Sequence, residues 1–374
     1  MKILLVIDQF NSENNGTTIS TVRFAQYLAN IGHDVRVLTT GKEGKNMYIV
    51  PERKIPLATH FAHKQGMVFG KPVKSILTKA ISECDIVHFL MPWAMSKKGI
   101  KICKKLNKPY TAAFHVQPEN ISYNIGMSSF PWFNTILYHY FRLRFYKNVN
   151  HIHCPSQFIA NELRRNHYKG KLHVVSNGID KKFVPPTNRN TNKEKFVITM
   201  VGRLSKEKRQ DILINAVNMS KYRDKIQLVF AGRGPKANYY EKLSKKLPNA
   251  PIFGFYSQKD LIDLLQSSDL YVHPADVEIE AISCIEAFAT GLVPIISNSL
   301  TSATKQFALD ERSLFKHGDA RDLANKIDYW LDNQEEREKM SSIYAKYANE
   351  FRLDKCILKI DKMFKEAIED FAKE

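Results

Sequence analysis

The sequence predicts an α/β protein built from two doubly wound domains that face a cleft. Short apolar runs alternate with stretches of helical spacing, the pattern of parallel strands joined by covering helices. The alternation stops at a polar stretch near residue 185 and then restarts. A chain of 374 residues is long for one core and comfortable for two.

In the first half, Ile3–Ile7, Val35–Thr39, Ile86–Leu90, Tyr110–Phe114 and His151–Cys154 read as strands. Ser20–Ile31 carries Val22, Ala25, Tyr27 and Leu28 at helical spacing and stops at Gly32. Met95–Asn107 reads as a second helix with Met95, Gly99, Ile102 and Leu106 on one face. Pro185 and Pro186 open a run with no apolar side chain before Phe196, which reads as a linker. Beyond it, Phe196–Val201, Gln227–Ala231, Pro251–Phe253, Leu270–His273 and Val293–Ser297 are strands separated by helices. From Asp319 onward the chain reads as all helical. These limits give an N-terminal domain over 1–184, a linker over 185–195 and a C-terminal domain over 196–354.

The composition, 44% hydrophobic and 25% charged, is that of a soluble globular protein. Five cysteines stand at 84, 103, 154, 284 and 356 with no Cys-x-x-Cys pair, which fits a reduced, intracellular protein. The apolar run Ile3–Ile7 is too short for a signal peptide, and no run is long enough to span a bilayer. Charge is unevenly spread. Residues 1–190 carry 27 Lys and Arg against 10 Asp and Glu, whereas residues 191–374 carry 29 against 28. A basic half suits an anionic membrane surface or a nucleic acid, and a solubilising surface is the plain alternative.

Two sets of residues carry chemistry. Gly202 and Arg203 follow the strand Phe196–Val201, and Lys208 comes five residues later near the start of a helix. Glycine allows close approach to a ligand, and an Arg fork with a Lys at a helix N-terminus suits a diphosphate. A solvated turn pair is the plainer reading. Glu278 and Glu286 stand eight positions apart around a turn at Ala281. The amides of Ala281 and Ile282 then face phosphate oxygens, Glu286 takes ribose hydroxyls and Glu278 takes hydroxyls of a hexose. Surface glutamates, with Glu280 as a third, are the alternative.

Other chemistries lack their residues. Residues 8–18 do not supply the Gly-x-Gly-x-x-Gly turn of a nicotinamide enzyme, there is no Walker loop, and no Asp-x-Asp pair occurs to hold a metal diphosphate. His33, His60, His63, His139 and His151 have no zinc spacing, and His151 and His153 read as one core and one surface residue of a strand. A glycosidase would pair carboxylates but has no use for a basic diphosphate site.

Taken in order, Gly16, His115, Ser176-Asn177-Gly178-Ile179-Asp180, Gly202-Arg203-Leu204, Lys208, Ala231-Gly232-Arg233-Gly234-Pro235, Gly254, Glu278 and Glu286 resemble the retaining family-four glycosyltransferases over nearly the whole chain. Within that family the chain resembles bacterial glucosyltransferases acting on diacylglycerol-type lipids. The resemblance implies two Rossmann-like lobes of the GT-B type, with the last helix, 355–374, returning to the first lobe. It implies transfer from a nucleotide sugar, with UDP the commonest donor, no metal or other cofactor, and retention of configuration. By the same resemblance the departing phosphate is expected to take the acceptor's proton, His115 to donate a hydrogen bond to the sugar, and Gly16, Gly202 and Gly234 to line the donor. The chain departs from the family where Ile279-Glu280-Ala281 replaces the frequent Pro-Phe-Gly, where Arg209 follows the lysine in place of glycine, and where the loop from Asn11 has one glycine in place of two. At Ala281 a tight turn is expected to need a negative φ.

The acceptor side falls to the basic half. Lys97, Lys101, Lys104 and Lys108 share a helix face, joined by Lys98 and Lys105, with Met95, Ile102 and Leu106 opposite. Residues 120–161 have no acidic side chain, and eight aromatics fall within residues 130–146, among them Trp132 and Phe133 beside Arg142 and Arg144. Basic and aromatic residues together suit the headgroup zone of an anionic bilayer. The expectation is a cytoplasmic enzyme held peripherally on the membrane, acting on diacylglycerol or a polyprenyl-linked sugar, with no nucleic-acid partner. Transfer to a soluble or polysaccharide acceptor, or non-catalytic binding of a sugar nucleotide or polyanion, are the alternatives.

Overall fold

The computed structural model describes residues 1–10, 16–54, 59, 68–188 and 194–373. Asn11–Asn15 of the first loop, His60, His63 and residues 189–193 of the linker lie outside them. The chain divides into two compact units. The first takes in Met1–Pro118, Met127–Gly178 and Leu353–Glu374, and the second Glu119–Gly126 and Ile179–Arg352. The N-terminal stretch of the first unit therefore runs to Gly178 and not to 184, because Ile179 already packs into the second core.

In the first unit, seven parallel strands are ordered β3-β2-β1-β4-β5-β6-β7. They are β1 (Lys2–Gln9), β2 (Asp34–Thr40), β3 (Met47–Ile49), β4 (Ile86–Phe89), β5 (Tyr110–Ala113), β6 (His151–Cys154) and β7 (Lys171–Val174). Strand β1 is buried from Ile3 to Ile7 because helices cover both faces of such a sheet. The helices are α1 (Gly16–Asn30), α2 (Lys74–Ser82), α3 (Ala94–Lys105), α4 (Pro118–Asn124), α5 (Pro131–Arg144) and α6 (Gln157–Arg165). Residues 119–124 of α4 count with the second unit.

The second unit holds six parallel strands ordered β10-β9-β8-β11-β12-β13. They are β8 (Phe196–Val201), β9 (Ile226–Ala231), β10 (Ile252–Gly254), β11 (Leu270–His273), β12 (Pro294–Ser297) and β13 (Leu314–Phe315). Its helices are α7 (Gln210–Met219), α8 (Ala237–Leu243), α9 (Gln258–Ser267), α10 (Ile282–Ala289), α11 (Ala320–Asp332) and α12 (Gln334–Tyr347).

A last helix, α13 (Leu353–Phe371), belongs to the first unit. It buries Leu353, Cys356, Ile357, Ile360, Met363, Phe364 and Ala367, a 3.6-residue stripe, in that unit's core. Its larger aliphatic and aromatic side chains each contribute about 2 kcal/mol by leaving water. Asp361 on the same helix meets His33 Nε2 at 2.9 Å.

Both sheets reverse strand order beside their first strand, between β1 and β4 and between β8 and β11. Ligands of doubly wound sheets bind outside the carboxyl ends of the strands at such a reversal. All five cysteines are buried and unpaired by disulfides. Among the described residues, no helix is long and apolar enough to cross a membrane.

Candidate donor site and acceptor face

At the end of β8 the chain passes through Gly202 into Arg203, and the neighbouring loop after β9 is stitched to it. Leu204 N–H donates to the Arg233 carbonyl at 3.1 Å and Lys236 N–H to the Leu204 carbonyl at 3.0 Å. A Cβ on Gly234 would stand 2.2 Å from the Leu204 carbonyl oxygen. Gly234 is thus a glycine for backbone packing, and it shapes the Arg203 loop. At Gly16 and Gly202 an added Cβ would meet open space.

After Arg203 a short turn, Lys206–Lys208, leads to Arg209, which caps α7 in the left-handed region with φ 56°. That conformation costs a non-glycine residue about 1 kcal/mol. Two carboxylates hold it: the Arg209 guanidinium lies 3.1 Å from Asp211 and 3.1 Å from Asp276. Asp276 is buried and central. It also accepts from the Tyr123 hydroxyl at 2.7 Å and sits 2.6 Å from His317 Nε2. Its backbone carbonyl accepts from the Ser299 and Thr301 hydroxyls at 2.6 and 2.7 Å. The loop between β11 and α10 is therefore pinned two residues before Glu278.

Glu278 forms an ion pair with the Lys208 ammonium. Its Oε1 also lies 2.9 Å from His273 Nε2, and His273 Nδ1 lies 3.0 Å from the Tyr271 hydroxyl. Tyr271 in turn donates to Ser283 at 3.1 Å. Burial alone would raise the Glu278 carboxyl, but the Lys208 charge and the His273 contact outweigh it and hold the group down at about 2. Lys208 and Glu278, 70 residues apart in the chain, thus meet beside the β8–β11 reversal. Arg203 stands at the end of the same strand β8 that leads to Lys208.

Glu280 and Glu286 are buried, at 3% and 7% exposure, so the surface-glutamate alternative fails. Ala281 caps α10 with φ 65° and ψ 67° and supplies no side-chain cap. This corrects the expected negative φ: the turn keeps the left-handed geometry usual for glycine, and alanine bears the strain. The first amides of α10, at Ile282 and Ser283, point out of an uncapped helix start, which suits an anion.

His115 lies just beyond β5 in the first unit, 7% exposed. Burial, then the charge of His153, lowers its imidazole to about 3, so it is neutral at physiological pH. His151 and His153 are both buried, against the expected one inside and one outside, because β6 is an interior strand. His151 Nδ1 lies 3.0 Å from His173 Nε2, and His151, His173 and Glu366 each place a ligand-type atom within 4.8 Å of the others. Lys171 and Asp370 pair with Glu366 and His151, so this group forms an ion-paired network of its own.

The basic helix α3 buries Met95, Ile102 and Cys103. Leu106, expected on that face, is 37% exposed. Lys101, Lys104 and Lys105 are exposed, and Lys98 is half-buried. Lys104 Nζ lies 3.0 Å from Asn148 Oδ1. Lys108 turns away from the patch, because its ammonium donates to the Cys84 carbonyl at 2.7 Å. Lys97 sits over the Tyr140 ring, 4.9 Å from its centroid. Tyr140 belongs to α5, which exposes Trp132 (56%), Ile136 (55%), Tyr140 and Leu143 at spacings of four, four and three residues. Tyr138 and Phe141 face inward and Phe133 is half-buried. Arg144 is exposed, whereas Arg142 is tied to His139 Nδ1 and the His167 carbonyl.

The sequence profile of Glycosyltransferase Family 4 matches residues 14–183, and that of Glycosyl transferases group 1 matches residues 185–347. The chain belongs to the family-four glycosyltransferases. A GDP-mannose-dependent alpha-mannosyltransferase of Corynebacterium glutamicum is 26% identical to this glycosyltransferase over 321 residues, 79% of this chain and 72% of the relative. An alpha-monoglucosyldiacylglycerol synthase of Streptococcus pneumoniae is 25% identical over 321 residues, 80% of this chain and 71% of the relative. Among solved structures, Anabaena HepE in complex with UDP and glucose superposes with a TM-score of 0.75 over 98% of this chain and all of its own, at 16% identity, and shares the fold. The catalytic domain of the Helicobacter pylori cholesterol-alpha-glucosyltransferase is 50% identical, covering 42% of this chain and 99% of its own, with a TM-score of 0.39.

Spacing alone singled out Lys208 and Glu278 but not the residues that hold them. His273 had a faint signal, as the last residue of a strand five positions before Glu278. Asp276, Tyr123 and His317 had none.

Proposed function

We propose that this glycosyltransferase moves a hexose from a UDP-sugar to a hydroxyl of a membrane lipid, with retention of configuration and without a metal ion. The donor half of the reading is carried by the Lys208–Glu278 pair beside the strand reversal. When the nucleoside diphosphate departs, negative charge builds on its β-phosphate. Arg203, Lys208 and the open amides at Ile282 and Ser283 stabilise that charge where it develops, which is the work a cation would otherwise do. Lys208 must turn from Glu278 toward the phosphate, and Glu278 is then released to accept sugar hydroxyls. Glu286 takes the ribose.

The acceptor half is supported by the exposed apolar stripe on α5 beside the lysines of α3, an arrangement that suits an anionic lipid surface. The monoglucosyldiacylglycerol that the pneumococcal relative is named for making points the same way. A GDP-mannose donor, named for the corynebacterial relative, is the second reading for the sugar nucleotide. The glycolipid formed from an α-linked donor is expected to be α-linked by NMR, and turnover is expected to survive excess EDTA. An inverted product removes the retaining assignment, and loss of activity on chelation that a divalent cation restores removes the metal-free one.

A further inference from the structure

The first sheet has its own strand reversal, between β1 and β4, and a cavity of about 30 Å³ lies there. Its walls are largely apolar, with Val68, Phe69, Met91 and Trp93 around Asp8 and Thr18. The Phe69 and Trp93 rings meet edge to face at 5.6 Å. Asp8, at the carboxyl end of β1, is 4% exposed. Its Oδ1 accepts from the Gly70 N–H at 2.8 Å. Its Oδ2 is buried and has no hydrogen-bond partner among the described residues. Burial raises the carboxyl from 3.8 to about 7 against the pull of the Gly70 amide and its own, and no charged side chain among the described residues faces it. A buried carboxyl with an unused oxygen is costly to keep. Once the carboxyl is ionised, above about pH 7, the missing partner is a donor; it must fit a site that holds about one water-sized group, and whatever bears it lies against hydrocarbon.

We propose that Asp8 forms the acceptor-hydroxyl subsite, its free oxygen accepting the O–H of an alcohol whose apolar skeleton lies against Phe69, Met91 and Trp93. This rests on the lipid-acceptor reading and narrows it to one group on one residue. The ionised carboxylate accepts the hydroxyl, so selectivity for an alcohol rises as pH passes through about 7.

The test uses two isomers of similar size, 1-octanol and heptyl methyl ether, of which only the alcohol can donate. Binding is followed by indole fluorescence in the full-length chain carrying Trp132→Phe, which removes the exposed indole and leaves Trp93 at the cavity above the constant background of Trp330, buried in the second unit's core. At pH 8 the protein is expected to bind the alcohol at least about 10-fold more tightly than the ether, since a buried acceptor left unpaired penalises the ether. Asp8→Asn places an amide donor in the cavity and is expected to erase that preference.

Stability separates this from a structural role. A carboxyl whose folded value is raised contributes stability that is full below 3.8 and lost as pH rises through about 7. Asp8→Asn is therefore expected to melt higher than the parent, by a margin that grows from pH 5 to pH 8. A variant that melts lower throughout makes Asp8 a structural acid and overturns the proposal. So does equal binding of the two isomers by the parent, or a preference that survives in Asp8→Asn. Glycolipid formation on vesicles, measured in parallel, shows whether the wider lipid reading stands when the subsite falls.

Discussion

Lys208→Ala and Arg203→Ala are each expected to slow sugar transfer by about 100-fold or more, because in the proposed donor reading each removes a positive charge that stabilises the leaving phosphate. The loss should fall on kcat, since that charge develops fully only as the bond breaks. Glu286→Ala should instead raise the KM for the nucleotide sugar, since the ribose is held alike before and during transfer. Steady-state kinetics on the purified variants decides between these patterns, and wild-type rates in both basic variants would refute the diphosphate assignment.

A pH series on Lys208→Ala checks the geometry separately. The Glu278 carboxyl is depressed from 4.5 to about 2, so its stabilising share is present above pH 4.5 and is lost as pH falls toward 2. Removing the ammonium leaves the carboxylate without its cation. Melting temperatures of the parent and variant are therefore expected to differ most above pH 4.5 and to converge below it.

Replacing Lys98, Lys101, Lys104 and Lys105 together by Gln is expected to weaken binding to anionic vesicles by roughly two to three orders of magnitude, at about 1 kcal/mol for each lysine near the surface. Lys108 is left out because it bonds the Cys84 carbonyl, and its loss would disturb the fold. Added salt should weaken binding in the same way, since a Debye length of about 10 Å at 0.1 M screens such charges. Trp132→Ala with Ile136→Ala should weaken binding with little change in its salt dependence, because that stripe contributes apolar area and no charge. Hydrolysis of free donor should be unchanged in the lysine variant. Sedimentation with vesicles and a hydrolysis assay measure the two effects. Failure of the parent to co-sediment at low salt would remove the membrane reading, and equal loss of donor hydrolysis would make the lysines part of the site or the fold.

The parallel sheets were legible because interior strands such as Ile86–Phe89 and Leu270–His273 are buried along their whole length and are apolar but for one histidine each. Met47–Ile49, Lys171–Val174 and Leu314–Phe315 escaped because they are short edge strands. An edge strand buries little, and Lys171–Val174 carries a lysine and a histidine. The residues proposed to hold the donor stood out through their spacing and order. Their supports did not, since Tyr123 and Asp276 are 153 positions apart and only the fold joins them. Ala281 was misjudged because alanine's preference is local, whereas the pinned loop before α10 sets its φ. The lysines of α3 were visible as charge. The outward stripe of α5 was not, since eight aromatics in a row of 17 do not say which of them the core takes.

The central claim is transfer of sugar from a nucleotide donor to a lipid. The measurement that tests it most directly is release of nucleoside diphosphate from a panel of nucleotide sugars, in the presence of anionic vesicles with and without diacylglycerol, with glycolipid quantified by mass spectrometry. The account predicts that a UDP-sugar is consumed, that diacylglycerol in the vesicles accelerates UDP release, and that glycolipid appears in step with UDP. Release that is indifferent to the lipid, with no glycolipid formed from any donor, would contradict it.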